Sequence, residues 1–386
     1  MTTLADEYIP GADTCDELRE MARRVLPPGV FDHTIGGAGE ERTMAANRAG
    51  FGRYRLLPRV LTDVSSIDAS VEVLGTKLSA PIFTSPTGGI GMVHRDGEIG
   101  VGRAAEAAGV GFILNAHPSV TIEDAAAAVG PARWHQMYWQ GNREIMADLA
   151  KRAEDSGYEV IVLTVDNAMR PRRPRMVRSG YKFPAEMSAT NFQRYTTPEW
   201  QDKVQFDDRG RPVKGSSEDV ILTWQNVEWL RSIINVPFVL KGVRSPFDAL
   251  RAIDVGADGI MISNHGGRNL DGEPGTIELL EDIRRAVGKD FTILIDGGVR
   301  RPSDIAIALG LGANAVGIGS PVVWALAVGG EETVTAYLED LVEDLERTLG
   351  LVGVARVSDL TRSHVSIRDA YITDDALARF VPPAYR

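Results

Sequence analysis

The sequence predicts an α/β protein in which eight parallel strands close into a (β/α)8 TIM barrel, with a helical N-terminal extension and a long loop after the fourth strand. Eight short apolar runs follow one another from residue 81 onward, and amphipathic segments lie between them. The runs are apolar along nearly their whole length, as in parallel strands covered by helices on both faces. Eight such strands are the number that closes into a barrel. A doubly wound open sheet is the alternative.

The predicted strands share an apolar centre and a polar carboxyl end. They are PIFTSP at 81, GFILNA at 111, RWHQMYW at 133, EVIVLTVD at 159, PFVLKG at 237, DGIMISN at 258, FTILIDGG at 291 and AVGIGS at 315. Helices are predicted between them at residues 98–108, 122–129, 143–156, 224–234, 246–255, 277–287 and 302–309. Thr121 and Ser245 precede two of these segments, and hydroxyl side chains at such positions are typical of helix N-caps.

Three regions lie outside the repeat. Residues 1–80 are predicted to form the helical extension and a short β segment, ASVEVLG, that caps the barrel floor. Residues 81–370 are predicted to form the barrel, and residues 371–386 a C-terminal tail. A polar insertion at residues 167–217 follows the fourth strand, and loops of that length often act as lids.

The composition argues against several classes of protein. The chain has 386 residues, with 53 acidic against 42 basic side chains and a formal net charge of -11. A nucleic-acid partner is therefore not expected. Cys15 is the only cysteine, which excludes an intramolecular disulfide and a multi-cysteine metal site.

Residues 305–330 carry no charge over a length that would span a bilayer. Their repeated glycines, Asn314 and the Ser320-Pro321 pair instead divide the run into a helix, a strand and the start of another helix. No membrane span is therefore expected. The acidic N-terminus has no apolar core of signal-peptide length, so the predicted location is cytoplasmic.

The carboxyl ends of the predicted strands carry many polar residues, and this end of a barrel holds the active site. The polar ones are Thr87, Asn115, Gln136, Tyr138, Thr164, Asp166, Lys241, Asn264, His265, Arg268, Asp296, Arg300 and Ser320, and Gly319 precedes the last of them. The last two strands end in Gly-rich turns, DGGVRRPSD and GIGSP, that lead into helices. Glycine backbones and helix N-termini suit an anion, so the sequence predicts a phosphate site there.

Six motifs then indicate a family. SPTG, WHQMYW, LTVD, VLKGV, SNHGGRNLDG and LIDGGVRRPSD, in this order and spacing, resemble the FMN-dependent 2-hydroxy acid oxidases and dehydrogenases, the family of glycolate oxidase, lactate oxidase, lactate monooxygenase and mandelate dehydrogenase. The resemblance implies FMN as cofactor, a small-molecule L-2-hydroxy acid as substrate, and oxygen or another electron acceptor. It also implies a homo-oligomer, a tetramer by analogy with many relatives.

The resemblance assigns roles to the residues around the substrate. His265 corresponds to the base that takes a proton from the substrate, Asp166 to the aspartate that orients it, and Tyr138 to a tyrosine near the substrate oxygen. Arg268 and Arg173 correspond to the pair that binds the substrate carboxylate. On chemical grounds, a neutral imidazole facing a carboxylate is a suitable base near neutral pH, and two guanidinium groups suit a planar anion.

The resemblance also assigns flavin contacts. Lys241 corresponds to the lysine beside the flavin N1 and C2 carbonyl, where it stabilises the anionic reduced ring. Gln136 and Thr164 correspond to residues that bond the pyrimidine edge. The other implied contacts to the ring, the ribityl chain and the phosphate are Thr87, Asn115, Asp296, Gly298, Arg300, Gly319 and Ser320.

Three parts of the chain depart from the family pattern. His33 stands where the family usually has a substrate-binding tyrosine. His117 stands where glycolate oxidases have a tryptophan, and Asn115 beside it replaces a serine or threonine. Ser320 stands where an arginine normally binds the FMN phosphate, and its hydroxyl and the arginines of VRRP are expected to keep the phosphate bound. The substrate-facing wall is changed, which predicts a larger or aromatic 2-hydroxy acid.

Two alternatives remain open at this level. One is an FMN dehydrogenase of a biosynthetic substrate other than a hydroxy acid, similar to the mycofactocin-pathway dehydrogenase. Arg268 argues against it, since an arginine there suits a carboxylate. The other is a barrel that binds a phosphorylated ligand without redox chemistry. The basic, polar loop after the fourth strand also argues against the membrane attachment of some mandelate dehydrogenases.

Overall fold

The computed structural model describes residues 14–169, 171–182, 190–197 and 221–367. Much of the predicted insertion 167–217 and the whole predicted tail 371–386 lie outside these residues. The chain starts with helices that precede a strand and a hairpin: α1 (Cys15–Val25), α2 (Pro28–Ile35), α3 (Arg42–Phe51), β1 (Tyr54–Leu56), β2 (Val71–Val73) and β3 (Thr76–Leu78). Thr14 and Glu17 form a capping box that satisfies the first free N–H groups of α1.

Eight parallel strands follow and close into a barrel. They are β4 (Ile82–Thr84), β5 (Gly111–Leu114), β6 (Arg133–Tyr138), β7 (Val160–Thr164), β8 (Phe238–Val243), β9 (Gly259–Ile262), β10 (Thr292–Ile295) and β11 (Ala315–Ile318). Each strand pairs with the next, and β11 closes the ring by pairing with β4, with Val316 opposite Ile82. The predicted barrel is confirmed, and the open-sheet alternative is wrong.

Helices lie between and after the strands. They are α4 (Gly97–Ala107), α5 (Ile122–Ala128), α6 (Arg143–Asp155), α7 (Pro174–Ser179), α8 (Trp224–Ile233), α9 (Pro246–Asp254), α10 (Thr276–Val287), α11 (Pro302–Gly310) and α12 (Ser320–Val352). All but α7, which belongs to the loop after β7 and packs on α2, cover the outside of the barrel. Thr121 and Ser245 cap α5 and α9 through their side chains, as predicted. Within the described part of the chain, no helix combines the length and hydrophobicity that a membrane span needs.

The last helix is longer than predicted, because the sequence analysis predicted only its start. α12 runs for 33 residues and is interrupted at Gly329 and Gly330, whose backbone angles are not helical. The glycines break the helix locally, but leucines recur beyond them and bury one face of the continuing helix, including Leu338, Leu345 and Leu349. A short strand, β12 (Val365–Ile367), then pairs antiparallel with β1.

The amino-terminal end of the barrel is filled. Val73 and Leu78 of the β2–β3 hairpin pack with the inward-facing side chains of the barrel strands, among them Phe83 and Trp134. The indole N–H of Trp134 donates a hydrogen bond to Thr76 Oγ1 at 2.8 Å. Because side chains fill this end, the described part of the barrel is open to a ligand at its carboxyl end.

The N-terminal helices lie against that open end. α1 packs against α12, and α3 packs against α10 and the turn His265–Gly267 that follows β9. A Cβ atom at position 267 would lie 2.6 Å from the backbone nitrogen of Met44, so only glycine permits this approach of α3. The extension therefore contributes directly to the walls around the strand ends.

Candidate active site

A cavity of about 1070 Å³ opens at the carboxyl end of the barrel. The predicted site residues that line it are His33, Thr87, His117, Tyr138, Arg173, Lys241, His265, Arg268, Asp296, Gly298, Arg300, Gly319 and Ser320. Pockets for drug-sized ligands usually measure roughly 300–1,000 Å³. The cavity therefore has room for a nucleotide-sized cofactor together with a small acid.

His265 lies between a carboxylate and a phenol. Its Nδ1 is 3.1 Å from Asp166 Oδ1, and its Nε2 is 3.0 Å from the hydroxyl of Tyr138. The Asp166 side chain is fully buried, and Arg244 approaches its second oxygen at 3.5 Å. A carboxylate that accepts from Nδ1–H leaves the lone pair on Nε2, which is the ring nitrogen beside the cavity-lining phenol.

The electrostatics of this group suit proton transfer. Burial lowers the pKa of His265 more than the hydrogen bond and charge of Asp166 raise it, so the imidazole is neutral at neutral pH. Burial raises the pKa of Asp166, but the hydrogen bond from His265 and the nearby positive charges lower it by more. Burial also raises the pKa of Tyr138, which stays protonated. The arrangement is a neutral base, an ionised partner that stabilises its protonated form, and a phenol donor.

The turn after β9 places the base tightly. His265, Gly266 and Gly267 have φ values of 58°, 64° and 75°, all in the left-handed region. This conformation is costly for a residue with a side chain, and strain of this kind is concentrated at functional sites. Asn264 Oδ1 accepts a hydrogen bond from the Gly267 N–H and stabilises the turn. The tight turn allows His265 and Arg268 to line the same cavity.

Arg268 is held by backbone carbonyls of the α2 terminus. Nη1 donates to Thr34 O and Gly36 O at 3.0 and 2.9 Å, and Nη2 donates to His33 O at 2.9 Å. A guanidinium has five N–H donors in a rigid fork. Among the described residues, no acceptor meets the Nε–H of Arg268, so donors of the fork remain for an anionic ligand. A carboxylate is a planar anion that a guanidinium can bind at two points.

A second arginine lies beside the first. Arg173 Nε donates to the backbone oxygen of Arg268 at 3.0 Å. Burial and the charge of Arg173 lower the pKa of Arg268 to about 9, so it is still a cation at neutral pH and is stabilised by an anion. The pKa of His33 falls to about 4 through burial and the same two charges. His33 is therefore a neutral wall residue.

The cavity also contains buried polar atoms that need a ligand. Lys241 Nζ donates to Ser263 Oγ at 2.7 Å and lies 3.2 Å from Asp296 Oδ2. In the described residues, Asp296 Oδ1 and Arg300 Nε are buried without a partner. Such atoms are rare unless a ligand or water meets them. An acceptor at Asp296 suits ribityl hydroxyl groups, and a donor at Arg300 suits a phosphate.

The Gly-rich turns complete the fit to FMN. Ser320 starts α12, so the free N–H groups of the first helical turn are available to an anion. Gly319 and Ser320 line the cavity, so this helix end is accessible to a ligand. The residues present therefore fit a flavin mononucleotide, with its phosphate near Arg300 and Ser320 and its ring near Lys241.

Some predicted flavin contacts do not line the cavity. Gln136 accepts from the Ala116 N–H at 2.9 Å and donates to Thr164 Oγ1 at 2.7 Å, so both ends of its amide are bonded within the barrel wall. Asn115 Nδ2 donates to the buried carboxylate of Glu98 at 3.2 Å. Asn115, Gln136 and Thr164 lie within the wall behind the lining side chains, and their direct contact with the flavin stays a prediction.

Sequence reasoning missed several residues that line the cavity. Arg19 and Arg48 come from α1 and α3, and Phe192 comes from the described part of the loop after β7. The Phe192 ring lies 5.3 Å from that of His117, which stacks on Tyr138 at 5.7 Å. No spacing in the sequence indicates these contacts, because each joins parts of the chain that local periodicity does not relate.

Several known proteins are similar to this chain in sequence and in fold. The profile of the family described as FMN-dependent dehydrogenase matches residues 22–367. A peroxisomal (S)-2-hydroxy-acid oxidase of Oryza sativa subsp. japonica is 39% identical over 90% of this chain and 94% of its own. The 4-hydroxymandelate oxidase of Amycolatopsis orientalis is 38% identical over 91% of this chain and 97% of its own. A mandelate oxidase solved with benzoyl-formic acid has a TM-score of 0.83 at 37% identity, covering 92% of this chain and 98% of that chain.

Proposed function

The chain belongs to the family of FMN-dependent dehydrogenases and is a flavoenzyme that oxidises a 2-hydroxy acid, and we propose that its substrate carries an aromatic side chain. The observation that carries this proposal is the group of rings beside the base, in which His117 stacks on Tyr138 and Phe192 lies tilted against His117. Aromatic faces favour another ring, which they contact edge-to-face or in offset stacking. The relatives named 4-hydroxymandelate oxidase and mandelate oxidase support the same class.

Each residue of the site has one task in the proposed reaction. Arg268 and Arg173 bind the substrate carboxylate and fix the α-carbon relative to the base. His265 Nε2 accepts the proton of the substrate hydroxyl, and Asp166 stabilises the imidazolium that forms. The Tyr138 hydroxyl donates a hydrogen bond to the substrate oxygen. Bound FMN supplies the acceptor for the hydride that leaves the α-carbon.

The reduced cofactor needs a second partner. Lys241 lines the cavity, where its side chain would stabilise negative charge on the reduced ring of bound FMN. We propose oxygen as the electron acceptor, with support from relatives named as oxidases. These relatives also favour hydroxy acid oxidation over the two alternative functions. The cytoplasmic location stays a prediction, and several plant relatives are named peroxisomal.

An aromatic substrate is expected to be preferred in anaerobic flavin reduction. With (S)-mandelate, the second-order rate of flavin bleaching should exceed that with glycolate by about 10- to 100-fold, because burial of the ring adds binding energy that glycolate lacks. Phe192→Ala should reduce the rate with mandelate and leave that with glycolate nearly unchanged. Faster bleaching by glycolate than by mandelate in wild type would exclude the proposal.

We also propose that the protein assembles as a homotetramer. α9 exposes an apolar stripe, with Phe247, Leu250 and Ile253 exposed by 84%, 44% and 39%. Contiguous exposed apolar surface of this kind marks contact sites, and a second copy of the chain would cover it. Phe247→Asp should shift the sedimenting species to a smaller assembly. Val60→Asp, at a separate exposed apolar position, should leave the assembly unchanged, and a monomeric wild type would contradict the proposal.

A further inference from the structure

The predicted phosphate site has less positive charge at its turns than a phosphate requires. The turns after β10 and β11 contribute Gly298, Arg300, Gly319 and Ser320 to the cavity. Ser320 offers a hydroxyl and the N-terminus of α12, but no charge. A phosphate monoester carries a charge of about -1.5 to -2 at neutral pH. Arg301 of the same turn is exposed and does not line the cavity. One arginine and a helix end leave part of that charge unmet, so a second cation is needed from outside these two turns.

Two cations of the N-terminal helices line the same cavity, and they differ in their partners. Arg48 of α3 donates to both oxygens of Asp16, at 2.7 and 2.9 Å, so its charge is already neutralised. Arg19 of α1 is partly buried and lines the cavity. Among the residues that the structure describes, no acceptor or carboxylate pairs with Arg19. A partly desolvated guanidinium without an acceptor is stabilised by an anionic ligand.

α1 is fixed against the phosphate turn. The thiol of Cys15 donates to the backbone oxygen of Arg300 at 3.1 Å. Arg19 lies four residues after Cys15, on the same face of the helix and one turn further along. The pKa of Asp16 is lowered by the hydrogen bond from Arg48 and also by the charges of Arg19 and Arg300. Arg19 and Arg300 also line the same cavity, and the bond from Cys15 to Arg300 fixes the helix that carries Arg19 against the turn that carries Arg300.

We propose that Arg19 binds the FMN phosphate together with Arg300 and supplies the positive charge that Ser320 lacks. The N-terminal helix is then part of the cofactor site and not only a cover of the barrel. This inference rests on FMN as the cofactor but not on the identity of the substrate, since flavin binding is measured without any hydroxy acid.

The test measures flavin affinity rather than turnover. Full-length protein is freed of flavin and titrated with FMN or with riboflavin, which has the same ring and ribityl chain but no phosphate, and binding is followed by quenching of flavin fluorescence. Arg19→Ala should weaken FMN binding by about tenfold or more, because a charge-assisted hydrogen bond to phosphate is lost. Riboflavin binding should change little. Arg23→Ala removes an exposed arginine one helical turn further along that pairs with Glu20 and does not line the cavity, and it should bind both flavins as wild type does.

A second variant tests whether the charge itself matters. Ser320→Arg in the Arg19→Ala background should restore FMN affinity, since it returns a cation to the same end of the cavity. Unchanged FMN affinity in Arg19→Ala would overturn the inference while FMN binding by the wild type stands. Equal loss of FMN and riboflavin would also overturn it, because that result indicates a structural role. A wild type that bound no FMN would overturn the cofactor assignment as well.

Discussion

Replacement of His265 is expected to slow anaerobic reduction of the flavin by substrate by about 10² to 10⁴-fold, the usual contribution of a positioned general base. Nε2 of this ring is the neutral, cavity-side nitrogen, and Asp166 lies 3.1 Å from Nδ1. Without the imidazole, the proton of the substrate hydroxyl loses its acceptor, and Asp166 has no protonated base to stabilise. The decay of flavin absorbance after mixing with substrate measures the rate.

The choice of variant separates chemistry from folding. His265 has a φ of 58°, and asparagine tolerates this conformation better than alanine does. His265→Asn should therefore keep the turn, retain FMN and lose the rate. His94→Ala, at a histidine that does not line the cavity, should reduce its flavin at the wild-type rate. A His265→Asn enzyme that is bleached within tenfold of the wild-type rate would show that another group is the base.

Arg268→Lys is expected to lower the second-order rate with the hydroxy acid by about 10² to 10⁴-fold, because two charge-assisted hydrogen bonds to the carboxylate are lost. Lysine keeps the charge, and its ammonium can still donate to the carbonyls of His33, Thr34 and Gly36. It has no planar edge to match a carboxylate, however, and the two groups are not equivalent at a bidentate site. Steady-state rates over a range of substrate concentrations measure the loss.

The amide of the same hydroxy acid provides the matched comparison. It has no carboxylate, so its rate should change far less in Arg268→Lys, and the preference of the enzyme for acid over amide should collapse. Arg285→Lys, on the exposed face of α10, should retain the wild-type preference. Equal losses with acid and amide would indicate that Arg268 serves only to hold the α2 terminus.

Much of the fold is encoded locally. Runs such as VIVLT at 160 and GIMI at 259 are buried along their whole length. A strand that is buried on both faces is apolar at nearly every position, so it can be predicted from its own residues without knowledge of the neighbouring strands. Thr121 and Ser245 cap their helices through hydrogen bonds to residues three positions later, which is also a local pattern. The sequence analysis did not predict the continuation of α12, because Gly329 and Gly330 interrupt the helical pattern.

The residues of the site also fall into two groups, those that the sequence predicted and those that only the structure revealed. The sequence by itself determined that His265, Asp166 and Lys241 would meet, because a closed barrel brings the carboxyl ends of its strands to one rim whatever the loops between them do. Only the tertiary structure decided that the carbonyls of α2 hold Arg268, that Phe192 covers His117, and that Arg19 lines the cavity. Those contacts join segments distant in sequence, and they depend on how the N-terminal helices and the loop after β7 dock onto the barrel. Docking of this kind is set by the summed packing of many side chains, and no local periodicity of the chain encodes it.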